Sequence, residues 1–297
     1  LVHFNNIYKN KNILITGHTG FKGSWMALWL KKLGARVYGI SHEKYNNNLK
    51  LDDEFKFEKK NELIINLSEK KNYPKIEKFL RKNKIQIVFF LAAQTIVKQS
   101  FINPIETWES NLISVNNFID LIQKLHFLKH ILIITTDKVY DTSLKNNKSF
   151  TEKDRLGGSD PYSLSKVAVE NYIKSIEKNI KTKIITIRAG NVIGGGDWAK
   201  YRIIPDIIRS NLNKKELIIR NKQSTRPWQH VFDCLSGYLY LGQLLVESKI
   251  NSGSVWNISN IVQKKMNVMQ LVDRFKKKIN LNKIVFQKDN TLVETHK

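Results

Sequence analysis

At 297 residues, 41% of them hydrophobic, the chain can bury a sizeable core and exceeds one average domain, so two lobes are expected. No run approaches the roughly 18 consecutive apolar residues of a membrane span, and the leading LVHFNNIYKNKN has no apolar signal core; the sequence therefore reads as a cytoplasmic protein with no membrane partner. The net charge of +24 comes from Lys spread along the whole chain without a nucleic-acid motif, which argues against nucleic acid as a partner and for attraction to anionic small molecules.

Asn12 to Thr16 (NILIT) is a short apolar run, followed at once by Gly17, His18, Thr19, Gly20, Phe21, Lys22 and Gly23, and then by a helical pattern through Leu33. The order is strand, glycine turn, helix. The GxxGxxG spacing lets the backbone turn tightly and approach a pyrophosphate, which the free N–H groups and dipole of a helix start favour. A dinucleotide site is the expectation, with a purely structural turn as the alternative. Gly34 caps the helix, and Arg36 to Ile40 reads as the second strand. An acidic residue at its end would hold the ribose 2′-OH of NAD and an Arg would suit NADP; Ser41, His42 and Glu43 leave that choice open.

A polar loop is expected over 46–60. Strands are expected at Leu63 to Leu67, Ile85 to Leu91, Ile131 to Thr135 and Lys183 to Ile187, and helices at Lys75 to Lys82, Pro104 to Leu125 and Pro161 to Lys178. Strand and helix alternate over short turns, the pattern of a doubly wound parallel sheet of the α/β class. Ala92, Ala93 and Gln94 follow the fourth strand, where small side chains would let the backbone close on a cofactor, although tight packing explains the alanines equally well.

The stretch from His130 to Lys166 is the centre of the chain. A buried strand ends in Thr135, Thr136, Asp137 and Lys138, and a helix starting near Pro161 presents Tyr162 and Lys166 one turn apart. At i, i+4 the two share a helix face, so the ammonium can lower the phenol's pKa and make Tyr162 a base. A solvated helix pair is the bland alternative. In open parallel sheets, however, ligands bind outside the carboxyl ends of the strands, where Thr136, Asp137 and Lys138 fall.

From Ala189 the character changes. AGNVIGGGDW is a glycine-rich loop, Tyr201 to Pro205 lead into a short helix, and TRPWQHV (Thr225 to Val231) precedes a helix through Val246, a strand at Val255 to Ile258 and a helix near Met266 to Lys277. Residues 1–188, with a return segment at about 229–258, are expected to form the dinucleotide-binding domain, and 189–228 plus 259–297 a smaller, discontinuous substrate-binding lobe. Cys234, the single cysteine, sits in an apolar helical pattern, reads as core, and fits a reducing compartment.

Six blocks together carry a resemblance: TGHTGFKGSW (Thr16 to Trp25), LAAQ (Leu91 to Gln94), TTDKVY (Thr135 to Tyr140), DPYSLSK (Asp160 to Lys166), RAGNVIGGGDW (Arg188 to Trp198) and TRPWQHV. In order and spacing the chain resembles the extended short-chain dehydrogenase/reductase family of nucleotide-sugar enzymes, and within it the CDP-glucose 4,6-dehydratase subgroup. The resemblance implies a Rossmann-type domain holding NAD at Gly17, Thr19, Gly20, Phe21, Lys22 and Gly23, and along Asn66, Leu67, Leu91, Ala92, Ala93 and Gln94. It implies Tyr162 and Lys166 as the catalytic pair, Thr136 near the sugar 4-hydroxyl and Asp137 as the acid at the departing 6-hydroxyl.

Most related dehydratases have Glu where this chain has Lys138, as the CDP-glucose subgroup does; Lys138 is then a desolvated base or a cation stabilising the enolate. For the nucleotide half of the sugar nucleotide, the resemblance points to Asn191, Asp197, Trp198, Arg202, Arg226 and His230, with Arg226 or Arg202 suited to the diphosphate. Trp228, Pro227 and His230 have lobe-junction packing as an alternative role. A homodimer through helices at about 104–125 and 161–178 is expected, and no metal is called for.

Two departures stand out: Asn66 replaces the usual Asp at the end of the third strand, and the chain stops at Lys297, inside the region where the family completes its small lobe. That lobe is therefore expected to be incomplete at its C-terminal end, and Leu1 in place of Met hints at processing or an unusual start. The reaction implied is C4 oxidation, loss of water across C5 and C6, and hydride return to C6. A 4-epimerase, needing only Tyr, Lys and cofactor, and a catalytically silent NAD-binding protein are the competing readings.

Overall fold

The computed structural model describes residues 4–43, 57–143, 149–259, 266–281 and 283–286, so most of the polar loop expected at 46–60 lies outside the described residues. The first apolar run forms β1 (Asn12–Thr16), and after the glycine turn α1 (Phe21–Lys32) leads to β2 (Arg36–Ser41). β3 (Glu62–Ile64), α2 (Tyr73–Lys82) and β4 (Ile87–Phe90) follow. The expected strand at Leu63 to Leu67 is shorter because Asn66 starts a turn, its Oδ1 accepting from the Ser68 amide at 3.0 Å and from its hydroxyl at 2.9 Å.

The single helix expected from Pro104 is resolved into pieces. α3 (Val97–Ile102), not foreseen, precedes α4 (Pro104–Trp108), a π-helical turn (Glu109–Ile113) and α5 (Ser114–Ile122). Then come β5 (His130–Thr136), α6 (Pro161–Ile176), β6 (Lys183–Ala189), β7 (Val192–Ile193), α7 (Ile203–Leu212), β8 (Leu217–Ile219), β9 (Gln229–His230), α8 (Val231–Val246), β10 (Val255–Ile258), α9 (Val268–Lys276) and β11 (Ile284–Phe286).

Seven strands make one parallel sheet in the order β10-β6-β5-β4-β1-β2-β3. Alternation along the strands sorts side chains to two faces. Ile13, Ile15, Phe89 and Leu132 pack with Met26 of α1 and Tyr238 and Leu239 of α8, while Leu14, Val88, Phe90 and Ile131 pack with Phe118 of α5 and Val169 of α6. A third, smaller cluster joins Ile207, Leu217, Ile219, Val268 and Val272, where β8 pairs with β11. Chain direction across the sheet reverses between β1, which leads outward to β2, and β4, which leads to β5 and β6; this is the switch point where parallel α/β sheets bind ligands. Cys234 is fully buried in the first cluster. Among the described residues, no helix is long and apolar enough to cross a membrane.

Candidate functional site

The carboxyl end of β5 and the start of α6 meet at the switch-point side of the sheet. Thr136 ends β5, and its hydroxyl oxygen accepts from the Lys138 amide at 3.3 Å, closing a short 3-10 turn over Asp137–Val139. α6 starts sharply: the Asp160 carboxylate accepts from the Ser163 amide at 2.8 Å, the Asp160 amide donates to the Ser163 hydroxyl at 3.2 Å, and Pro161 occupies the first turn. That fixed start brings Tyr162 and Lys166 under the strand end, both buried.

A cleft of about 1520 Å3, its open mouth included, runs between this strand end and the small cluster. Thr136, Asp137, Lys138 and Tyr162 line it from the sheet side, joined by Phe21 and Lys22 of α1. Asn191, Asp197, Arg202 and Arg226 line the opposite wall, with Trp228. Two residues singled out for the nucleotide do not reach that wall. Trp198 is 39% exposed, its carbonyl held by Arg209 at 2.6 Å, and His230 caps α8, its Nδ1 accepting from the Phe232 amide at 3.3 Å.

Burial sets the electrostatics. The Tyr162 phenol is pushed up to about 12 by burial, with the Thr136 hydroxyl and Arg202 acting the other way. The sequence suggests that Lys166 lowers this phenol; in the structure burial prevails, and the Lys166 Nζ donates instead to the Ile134 carbonyl at 3.3 Å. Lys166 itself is lowered to about 7, mainly by burial, with Lys22 adding to the effect and Glu170 opposing it. The Asp137 carboxyl is raised by burial against the pull of Lys138, Thr136 and Arg226, the direction an acid needs.

The glycine turn is fitted for a dinucleotide. Gly17 has φ +73°, a conformation that favours glycine, and a Cβ there would come within 3.0 Å of the Ala92 backbone. At Gly23 a Cβ would lie 2.1 Å from the Gly17 carbonyl oxygen. No side chain caps the start of α1, so its first amides are left to a ligand. The Thr19 hydroxyl lies 2.9 Å from the Ser41 Oγ and 3.0 Å from the Glu43 carbonyl, closing the turn over the end of β2.

Further along the crevice, the Leu91 amide donates to the Thr16 carbonyl at 3.2 Å and the Ala92 amide to the Thr16 hydroxyl at 3.1 Å, holding the segment that continues through Ala93. The Gln94 amide donates to Asn111 Oδ1 at 2.8 Å. Leu67 is buried, and the Asn66 side chain is engaged in its own turn, with Nδ2 3.4 Å from Glu69 Oε1.

Several contacts of the site carry no motif. The Asn111 amide, on the π-helical turn, donates to the Gln94 carbonyl at 3.1 Å and to the Ser165 hydroxyl at 2.8 Å, tying the end of β4 to α6. Lys22 donates to the Tyr238 hydroxyl at 3.0 Å, from α8. At the mouth, Arg202 bridges Asp197 and the Thr95 hydroxyl, while Lys98 and Arg220 flank the Tyr201 ring. The partners of Asn111 and Lys22 are 54 and 216 residues away in sequence, so no local pattern announces them.

Comparison with known proteins identifies the family and the fold. The model of the NAD dependent epimerase/dehydratase family matches residues 13–259. CDP-glucose 4,6-dehydratase of Salmonella typhimurium is 35% identical over 282 residues, covering 91% of this chain and 76% of the relative. Among solved structures, UDP-N-acetylglucosamine 4-epimerase from Methanobrevibacter ruminantium superposes with TM-score 0.77 at 22% identity, covering 95% of this chain and 87% of the other. The dTDP-glucose 4,6-dehydratase of Streptomyces venezuelae, with NAD bound, gives 0.77 at 17% identity, covering 94% and 84%. At such identities the structures establish the fold alone, which epimerases and dehydratases share.

Proposed function

Because the chain belongs to the NAD dependent epimerase/dehydratase family, we propose that it catalyses the NAD-dependent 4,6-dehydration of a nucleotide-sugar, specifically CDP-D-glucose to CDP-4-dehydro-6-deoxy-D-glucose. The observation that carries this reading is the convergence of Thr136, Asp137, Lys138 and Tyr162 on one cleft, with the Asp137 carboxyl raised by burial. An epimerase needs no carboxylic acid beside its tyrosine. The 35% identity with a CDP-glucose enzyme, together with Lys138 in place of a glutamate, supports CDP as the nucleotide.

In this reading Gly17, Thr19, Gly20, Phe21, Lys22 and Gly23 hold the cofactor's pyrophosphate, and Ala92 to Gln94 flank its path to the reacting sugar. The bound cofactor would supply the acceptor for a hydride from C4 and its return at C6. Tyr162 accepts the 4-hydroxyl proton at its phenolic oxygen, with Thr136 orienting that hydroxyl. As the phenol starts at about 12, positive charge beside it is required, and Arg202 is the cation that acts on it. The ketone formed at C4 acidifies the C5 hydrogen. The C5 proton leaves to Lys138 as base, or to solvent where Lys138 stays charged and stabilises the enolate. Asp137 gives its proton to the departing 6-hydroxyl, which leaves as water, and a proton returned to C5 balances the hydride at C6.

Arg202 and Arg226 hold the diphosphate, with Asn191 and Asp197 on the same wall, so the lobe of 189–228 and 259–297 is the substrate-binding half of our assignment. The return segment at about 229–258 belongs with 1–188. A reducing cytoplasmic setting suits the single buried thiol. We further assign a homodimer to the face formed by α3, α4 and α6, where Phe101, Ile102, Ile105, Trp108 and Leu164 expose apolar side chains.

CDP-glucose deuterated at C4 tests the reading: loss of one water with deuterium at C6 is expected by mass spectrometry and NMR. Unchanged mass with inverted C4 would replace dehydratase by epimerase. Bound NAD without turnover of any nucleotide-sugar would leave a silent binding protein.

A further inference from the structure

β6 reads KIITIRA: Lys183 opens the strand at a half-buried position, whereas Arg188 is a charge within its buried stretch. Its side chain is 3% exposed, as is that of Glu170 on α6, and the two pair through several contacts. Arg188 Nε donates to Glu170 Oε1 and Oε2 at 3.0 Å each and Nη2 donates to Oε2 at 2.5 Å. Nη1 donates to the Tyr140 hydroxyl at 2.8 Å and to the Glu152 carbonyl at 3.3 Å. The Thr135 hydroxyl donates to Glu170 Oε1 at 2.7 Å, and the Tyr140 hydroxyl donates to Asn257 Oδ1 at 2.5 Å. Both carboxylate oxygens are taken.

Glu170 stands four residues after Lys166, the helical spacing at which a carboxylate and an ammonium normally pair. Lys166 instead donates to the Ile134 carbonyl. We propose that Arg188 is a positioning residue: by holding both oxygens of Glu170 it denies that carboxylate to Lys166, and it locks α6 against the end of β5 where Thr136 and Asp137 stand. The proposal rests on the reading of Lys166 as part of the catalytic machinery.

The charged groups acting on Lys166 are Lys22 from α1 and Glu170 from its own helix; Tyr162 shares that helix, and Asp137 and Tyr238 reach the same space from the 3-10 turn and α8 through Lys22. Lys22 pushes the Lys166 proton off and Glu170 holds it on. With Arg188 engaging Glu170, the repulsion and the burial prevail. Without it, Glu170 becomes the partner of Lys166.

The protein labelled with 13C-lysine reports this directly: the Lys166 Cε resonance, assigned by its loss in Lys166→Arg, is expected to titrate near neutrality. Arg188→Met is expected to move that titration up by about one pH unit or more. Glu170→Gln, which also leaves the guanidinium unpaired, is expected to move it down; Glu170→Gln with Arg188→Met should bring it back toward the parent. If Arg188→Met does not fold, Glu170→Gln and the double variant carry the test. A residue that only stabilised the fold would move neither titration, and a Lys166 resonance unmoved in Glu170→Gln overturns the proposal.

Turnover of CDP-glucose is a separate readout: its absence in the parent would sink the assigned activity while leaving the titration result standing. Where turnover is present, Arg188→Lys should lower kcat with little change in KM, and the pH optimum should move in the direction of the resonance.

Discussion

A Cβ on Gly23 would sit 2.1 Å from the carbonyl oxygen of Gly17, so the first turn of α1 packs backbone against backbone on the turn that ends β1. Neither chain segment can retreat, because Gly17 is itself against the Ala92 backbone. Gly23→Ala is therefore expected to destabilise the protein by about 1–3 kcal/mol and to abolish measurable NAD binding by calorimetry. Gly195, in the other glycine-rich stretch, would place a Cβ in open space, and Gly195→Ala should stay within about 0.5 kcal/mol of the parent in urea unfolding. Equal losses in the two variants would mean that the turn is not a packed cradle.

The division of labour between Tyr162 and Asp137 predicts two different kinetic lesions. Tyr162→Phe removes the only acceptor for the 4-hydroxyl proton in the proposed scheme, so no reduced nicotinamide should form in a single turnover, and kcat should fall by roughly 10^2 to 10^4. Asp137→Asn leaves that acceptor in place and removes the proton for the leaving hydroxyl. Absorbance of the reduced cofactor should then rise and persist. If both variants stall before oxidation, Asp137 has a different task.

The apolar side chains on α3, α4 and α6 supply the third prediction. Ile105 is 75% exposed and Leu164 is 42% exposed, on a face that a second copy would cover. Ile105→Glu combined with Leu164→Lys should convert a sedimenting dimer to monomer while retaining the far-ultraviolet circular dichroism of the parent. A parent that sediments as a monomer removes the assignment of this face.

The strands and helices that build the sheet are legible because each has its own period: NILIT alternates its side chains between two cores, and α6 begins at a readable capping box. Local chemistry also shows the Gly17 to Gly23 turn and the placing of Tyr162 and Lys166 one turn apart on α6, though Lys166 donates to the Ile134 carbonyl. What the sequence conceals is tertiary. The helix from Pro104 reads as continuous, yet its π-helical turn serves Asn111, whose partners Gln94 and Ser165 come from two other elements. Trp198 and His230 stand in the right blocks, but one is exposed and the other caps a helix. Arg188 opens a readable block, yet its partner Glu170 lies on α6, and only the fold brings the two together.

Lys166 yields a prediction about stability with a definite sign. Its buried ammonium is lowered to about 7, against about 10.4 in an unfolded chain. Between those values the unfolded state binds the additional proton, so this residue's contribution makes the protein more stable as pH rises from about 7 toward 10; below 7 both states are protonated and the whole cost of burying the charge applies. Lys166→Met, which has no charge to bury, should thus be more stable than the parent at pH 6 by an amount on the order of a few kcal/mol, even after losing the bond to the Ile134 carbonyl. The advantage should shrink steadily as pH approaches 10. Urea unfolding of the cofactor-free protein at pH 6, 8 and 9.5 measures the difference, and a gap that does not change with pH would show that Lys166 is not held against its ordinary ionisation.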